Sequence, residues 1–179
     1  MRNIPGRCFY HASFFNAPIN PQQQRKVALV EQQLRIYSGN PSFILEFVPT
    51  PDTAFSRKDL NRITLSREFL THNISIDEIA GVMAHECGHL CDTIRACNCH
   101  HVRSKMEFNA DEFAAAFLAT HGYSVEPLIH YCTKRPEIPN DVHGRHLDRS
   151  LHLRASYQAN VSFLAMAQQT TPVAVMTSA

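Results

Sequence analysis

At 179 residues, with 44% hydrophobic and 18% charged side chains, the chain is long enough to bury one core and too apolar to be intrinsically disordered. The formal net charge of +1, without any run of Lys or Arg, excludes a strongly basic surface, so no nucleic-acid partner is expected. The longest apolar run, Phe113 to Ala119, is far too short to span a bilayer, which leaves no transmembrane segment. The first residues, Met1-Arg2-Asn3-Ile4-Pro5, lack the apolar stretch of a secretory signal. Together these features predict a cytoplasmic protein, or one exported as an effector without a cleavable signal. Thiols rather than disulfides are then expected at its cysteines.

The predicted elements follow in chain order. Residues 1 to 19 read as irregular. Asn20 followed by Pro21 is a helix N-cap with proline at the first helical position, and Val27, Val30, Leu34 and Tyr37 continue at helical spacing until Gly39. Ser42 to Val48 reads as a strand ended by Pro49 and Pro51, and Asn61 to Ser66 as a shorter one with Ile63 and Leu65 on one face. Ser75-Ile76-Asp77-Glu78 is a capping box. The helix it opens carries Ile79, Val82 and Met83 and is expected to end near Ile94. A loop rich in Cys and His, residues 95 to 103, leads to a helix from about Ser104 to Thr120, closed by Gly122. Ser124 and Pro127 open another helix that ends near Cys132. Lys134 to Asn140 is a loop, and Asp141 to about Ala167 is mostly helical. The reading is one domain over residues 1–167 with a flexible tail over 168–179.

The chemistry concentrates in His85-Glu86-Cys87-Gly88-His89. Two histidines at i and i+4 stand on one face of a helix and can share a metal ion, with the intervening glutamate placed as general base. Gly88 within the helix costs about 1 kcal/mol in propensity, and reads either as a tolerated defect or as the place where another segment approaches the helix closely. Downstream, Glu107 can serve as third ligand. Asp111, one turn on, can accept the ring N–H of a ligating histidine. The alternative for this pair is a solvated acidic face. Two histidines and one carboxylate leave a coordination position open, as catalytic zinc requires. The expectation is one zinc ion per chain.

From about residue 53 to 154 the sequence resembles the gluzincin zinc metallopeptidases. It is most similar to the CAAX prenyl protease and HtpX heat-shock protease family with its small soluble members, the minigluzincins. Thr53-Ala54-Phe55 with Asn61-Arg62-Ile63-Thr64-Leu65-Ser66 resembles that family's turn and edge strand. Asp77 to His89 resembles its active-site helix, and Glu107, Ala110, Asp111 and Ala114 its glutamate-bearing helix. His143 and Arg149 stand at the spacing of its His–Arg segment. The resemblance implies an α+β, zincin-like fold in which a small mixed sheet with an edge strand packs on these two helices. It implies His85, His89 and Glu107 as zinc ligands, Glu86 as general base and Asp111 as support. It further implies His143 as oxyanion stabiliser, Arg149 as an orienting group, and Asn61, Arg62, Ile63, Thr64 and Leu65 as the edge that pairs with a protein or peptide substrate. Thr53 and Gly144 depart from the family's Asn and Pro, and the membrane spans of larger relatives are absent.

Three other readings compete with a metalloendopeptidase. Cys87, Cys91, Cys97, Cys99, His100 and His101 offer a closed Cys/His metal set, although their spacing fits no zinc finger. A non-catalytic zinc-binding interaction protein on the same fold is the second. In the third, the uncharged stretch from Ala155 to Ala179 lies across the cleft of a latent enzyme; the preferred reading there is a core helix through Tyr157, Val161 and Leu164 with a frayed end.

Overall fold

The computed structural model of the chain describes residues 18–51, 53–93, 100–134 and 146–170. Among these the architecture is α+β: six α-helices and a mixed three-stranded sheet.

Helix α1, Pro21–Tyr37, starts where the Asn20 side chain accepts a hydrogen bond from the Gln22 amide at 2.9 Å. It buries Val27, Val30 and Leu34, and the chain leaves it through Gly39 in the left-handed region at φ +65°. Strands β1 (Ile44–Val48), β2 (Ala54–Arg57) and β3 (Arg62–Ser66) follow, with a 3₁₀ turn at Lys58–Leu60 joining β2 to β3. Asn61 completes that turn at φ +47°, a conformation asparagine tolerates better than most residues, and its amide group is held by Asn40.

The strand order β1-β3-β2 corrects the reading of residues Asn61 to Leu65 as an exposed edge. β3 is the central strand, parallel to β1 on one side and antiparallel to β2 on the other. Its side chains are buried on both faces, Ile63 and Leu65 as well as Thr64 and Ser66. The strand missing from the sequence reading is β2, four residues that β3 meets by folding back through the 3₁₀ turn. Among the described residues β2 pairs on one side only, and it is the strand most closely packed on helix α3.

After the short helix α2 (Glu68–Thr71), α3 (Ile76–Cys91) opens at the predicted cap, with Ser75 Oγ accepting from the Glu78 amide at 3.1 Å. It stops earlier than expected: Asp92 turns to extended geometry, before Ile94 is reached. α4 (His100–His121) starts earlier than expected, so residues 100–103 are helix rather than loop. Gly122 closes it at φ +72°. α5 (Glu126–Thr133) and α6 (His146–Thr170) complete the order. α6 runs past Ala167, which places residues 168–170 in helix rather than tail. Leu153 is fully buried and Tyr157 donates its hydroxyl to the Tyr123 carbonyl at 2.9 Å. Val161, expected in the core, is exposed together with Phe163 and Met166, so only the first half of α6 supplies core.

α3 is the centre of the molecule. Nearly every residue from Ile79 to Leu90 is buried, and it packs against α1, α4, α5 and the sheet. At Gly88 the α4 backbone itself comes close: a Cβ there would lie 2.8 Å from Ala110 Cα and 3.1 Å from both the Ala110 carbonyl oxygen and Phe113 Cβ. The glycine is thus explained by the passage of the α4 backbone.

Gly88→Ala is expected to destabilise the protein by about 1–3 kcal/mol, because the rigid α4 backbone must move, despite a helix-propensity gain of about 1 kcal/mol. For a chain of this size that is a fall in Tm of roughly 2–12 °C. Thermal denaturation followed by circular dichroism checks it; an unchanged or raised Tm contradicts the close contact.

Candidate metal centre

The α3–α4 crossing brings side chains from two helices to one point. His85 and His89 lie one turn apart on α3, their rings edge to face with centroids 4.8 Å apart. Ala110, pressed against Gly88, is flanked on α4 by Glu107 and Asp111. Glu107 Oε2 lies 3.3 Å from His85 Nε2, and Glu107 Oε1 lies 3.5 Å from His89 Nε2. The three donor atoms all fall within 4.8 Å of one another, so the cluster can hold a metal ion. Two ligands each about 2.0–2.1 Å from a tetrahedral ion are separated by roughly 3.3 Å, and both His–Glu distances are close to that value.

A chain of buried charge stands behind His85. Asp111 is fully buried, with Oδ1 2.9 Å from His85 Nδ1. Arg149 reaches in from α6 and forks onto the same carboxylate, Nε to Oδ2 at 2.8 Å and Nη2 to Oδ1 at 2.7 Å. Its Nη2 is also 3.9 Å from Glu107 Oε2. Asp111 therefore ties α4 to α3 and α6 at once.

The electrostatics follow from burial set against these partners. For Asp111, burial favours the neutral acid, but Arg149 and His85 outweigh it and hold the carboxyl well below its usual range. Such a group contributes stability at neutral pH. The contribution is full above the ordinary carboxylate pKa of about 3.9 and is lost progressively as pH falls from there toward the depressed folded-state value. For Arg149, burial is likewise overcome by Asp111, which keeps the guanidinium charged. At His85 burial pulls the pKa down, yet Asp111 and Glu107 raise it well above the usual value, so the pocket has a potential that favours a cation. His89 is held at about 4 by burial and by its neighbour His85, so its imidazole is neutral and its ring lone pair is free to bind a metal.

Glu86 is buried on α3, close enough for His85 to feel its charge. The structure thus brings together His85, Glu86, His89, Glu107, Asp111 and Arg149. It does not bring β3 to a free edge, as described above. His143, Cys97 and Cys99 lie outside the described residues. Cys87 and Cys91 contact each other rather than the histidines' ring nitrogens, and among the described residues the donor cluster is His85, His89 and Glu107. One group passed over in the sequence is Cys132 on α5. Burial raises its thiol pKa, and the charges of Arg149, Asp111, His85 and Glu107 reach it. A lone cysteine in an apolar helix carries no signal for such a position.

Comparison of the chain with protein-family models, with curated proteins and with solved structures found no match.

Arg149→Met leaves the Asp111 carboxylate in the interior without its guanidinium and is expected to cost about 3–5 kcal/mol of stability. Adding Asp111→Asn should recover a large part of that loss, because the uncompensated charge is gone. Urea denaturation of the two single variants and the double variant measures the coupling. Simple additivity would contradict the buried ion pair.

Proposed function

We propose that the chain is a zinc-dependent metalloendopeptidase of the gluzincin type, a zincin-like domain that binds one zinc ion and cleaves protein or peptide substrates. The observation that carries this reading is the meeting of both Glu107 oxygens with the Nε2 atoms of His85 and His89, at 3.3 and 3.5 Å. Zinc suits two imidazoles and one carboxylate, and three protein ligands leave one position for chemistry. The resemblance of the two helices to those of gluzincins supports the same reading.

When bound, zinc polarises the scissile carbonyl and acidifies the attacking water. The protein's own groups then divide the work. Glu86 takes the proton from that water and delivers it to the departing amine. Asp111 Oδ1, 2.9 Å from His85 Nδ1, would fix the imidazole with Nε2 as the atom that holds zinc and would strengthen it as a ligand. Arg149 keeps Asp111 ionised and aimed. His143 steadies the oxyanion, as the resemblance implies. The substrate lies extended along β2, Ala54–Arg57, the edge strand among the described residues, in place of Asn61–Leu65. Main-chain pairing there adds a strand to the sheet beside α3.

The test separates metal from chemistry. The wild type should carry one zinc per chain by elemental analysis. Glu86→Gln should keep it while losing peptide cleavage by roughly 10²–10⁴-fold, the usual share of a general base. His89→Ala should lose both zinc and cleavage. Cleavage by Glu86→Gln at the wild-type rate, or full zinc retention by His89→Ala, rules the reading out. Comparison of protein termini in cells expressing wild type and Glu86→Gln identifies substrates.

A further inference from the structure

Cys87 and Cys91 follow His85 and His89 by two residues each on α3, which places them nearly on the opposite side of the helix. Both are free cysteines, and their side chains touch across the helical turn. Their surroundings differ. Cys87 is fully buried, against the Ser38 hydroxyl that follows α1. Cys91 is the last residue of α3 and is partly exposed. His89 lies between them in the chain, in the same final turn.

We propose that Cys87 and Cys91 form an oxidation site, and that their disulfide withdraws His89 from the metal centre. The coupling to metal rests on the zinc-site reading above; the thiol pair does not. In a straight helix the Cα atoms of residues i and i+4 are about 6 Å apart, within the range a disulfide spans. Their Cβ atoms are about 5–6 Å apart, whereas a disulfide needs about 3.5–4.5 Å. The turn must therefore distort for the bond to close. Both ends of the turn are tied. Gly88 is fixed against the Ala110 backbone, so the start of the turn is held. The far end is secured by the Asp92 amide bonding to the Gly88 carbonyl at 2.9 Å, after which the backbone is already extended. The displacement consequently falls on residues 89–91 and carries the His89 imidazole away from Glu107.

Hydrogen peroxide supplies the oxidant. The exposed Cys91 sulfur attacks one peroxide oxygen, the O–O bond breaks, and sulfenic acid and water form. The Cys87 sulfur then attacks the Cys91 sulfur and expels the hydroxyl, which leaves as a second water with the Cys87 proton. Two thiols lose two electrons in total, and one peroxide becomes two waters. A dithiol reductant reverses the change by exchange.

The experiment uses the full chain loaded with zinc and treated with hydrogen peroxide. Peptide mapping by mass spectrometry should find Cys87 joined to Cys91 with the loss of two hydrogens. A chromogenic chelator should register loss of most of the zinc, reversed by dithiothreitol and fresh zinc. Cys91→Ser should bind zinc as the wild type does and keep it through the same treatment. Absence of the Cys87–Cys91 crosslink, pairing of Cys91 with another cysteine instead, a crosslinked protein that retains zinc, or equal zinc loss from Cys91→Ser each overturns the proposal. Failure of the untreated, reduced protein to bind zinc removes the metalloprotease reading and the coupling with it; the crosslink result is read separately, so the two failures are distinguishable.

Discussion

The contact between Gly88 on α3 and the Ala110 backbone on α4 sets the geometry of everything the molecule brings together. Two histidines sit on one helix and the carboxylate that meets them on another, so the distance between helix axes fixes the distance between donors. Even a methyl group on α3 at this crossing would stand 2.8 Å from Ala110 Cα. With it the helices would have to part, and Glu107 would withdraw from both Nε2 atoms together. The propensity cost of a glycine in mid-helix, about 1 kcal/mol, is thus exchanged for positional accuracy. The core around α3 supplies the stability that makes the exchange possible, through fully buried side chains such as Ile79, Met83 and Phe117.

The buried pair of Asp111 and Arg149 acts on orientation more than on stability. Removing two charges from water costs several kcal/mol each, and an apolar pair of similar volume is often as stable or more so. What an apolar pair cannot do is present a carboxylate to His85 Nδ1. Asp111 has two oxygens and uses both on Arg149 while one also faces His85. The imidazole is held by a group that is itself held from a third helix. That arrangement turns Nδ1 toward Asp111 and leaves Nε2 on the side where Glu107 stands.

Local stereochemistry was readable in the sequence; pairing at a distance was not. Asn20 with Pro21, the Ser75–Glu78 box and the glycines at 39 and 122 act within a few residues of themselves, and each marks a boundary in the structure. Gly88 was readable only as a choice between a tolerated defect and a close neighbour, and the Ala110 backbone decides for the neighbour. The sheet was less so. β2 spans four residues close behind prolines, and nothing local shows that β3 finds a partner on each side. Alternation in β3 suggested one buried face, whereas Thr64 and Ser66 are buried as well. Ile94 looked like a continuation of α3, yet the chain turns at Asp92. Residues 100–103 hold neither Gly nor Pro, and helix propagates through them despite a Cys/His-rich composition that suggested loop. The donor cluster was legible because i, i+4 spacing and the later Glu–Asp pair each imply a helix face.

The centre has a stiff half and a soft half, and both follow from where α3 ends. His85 lies inside the helix, backed by Asp111 and through it by Arg149. His89 lies in the last turn, where it meets Glu107 at 3.5 Å and the ring of His85. Beyond Cys91 the helix no longer supports it, and Asn109 Nδ2 donates across from α4 to Asp92 Oδ2 at 3.3 Å. Any force on this end of α3 therefore reaches His89 before His85. The thiols of Cys87 and Cys91 lie across that same turn, on the side away from the donors, so the proposed oxidation there would act on the less supported histidine and leave the Asp111–Arg149 anchor untouched.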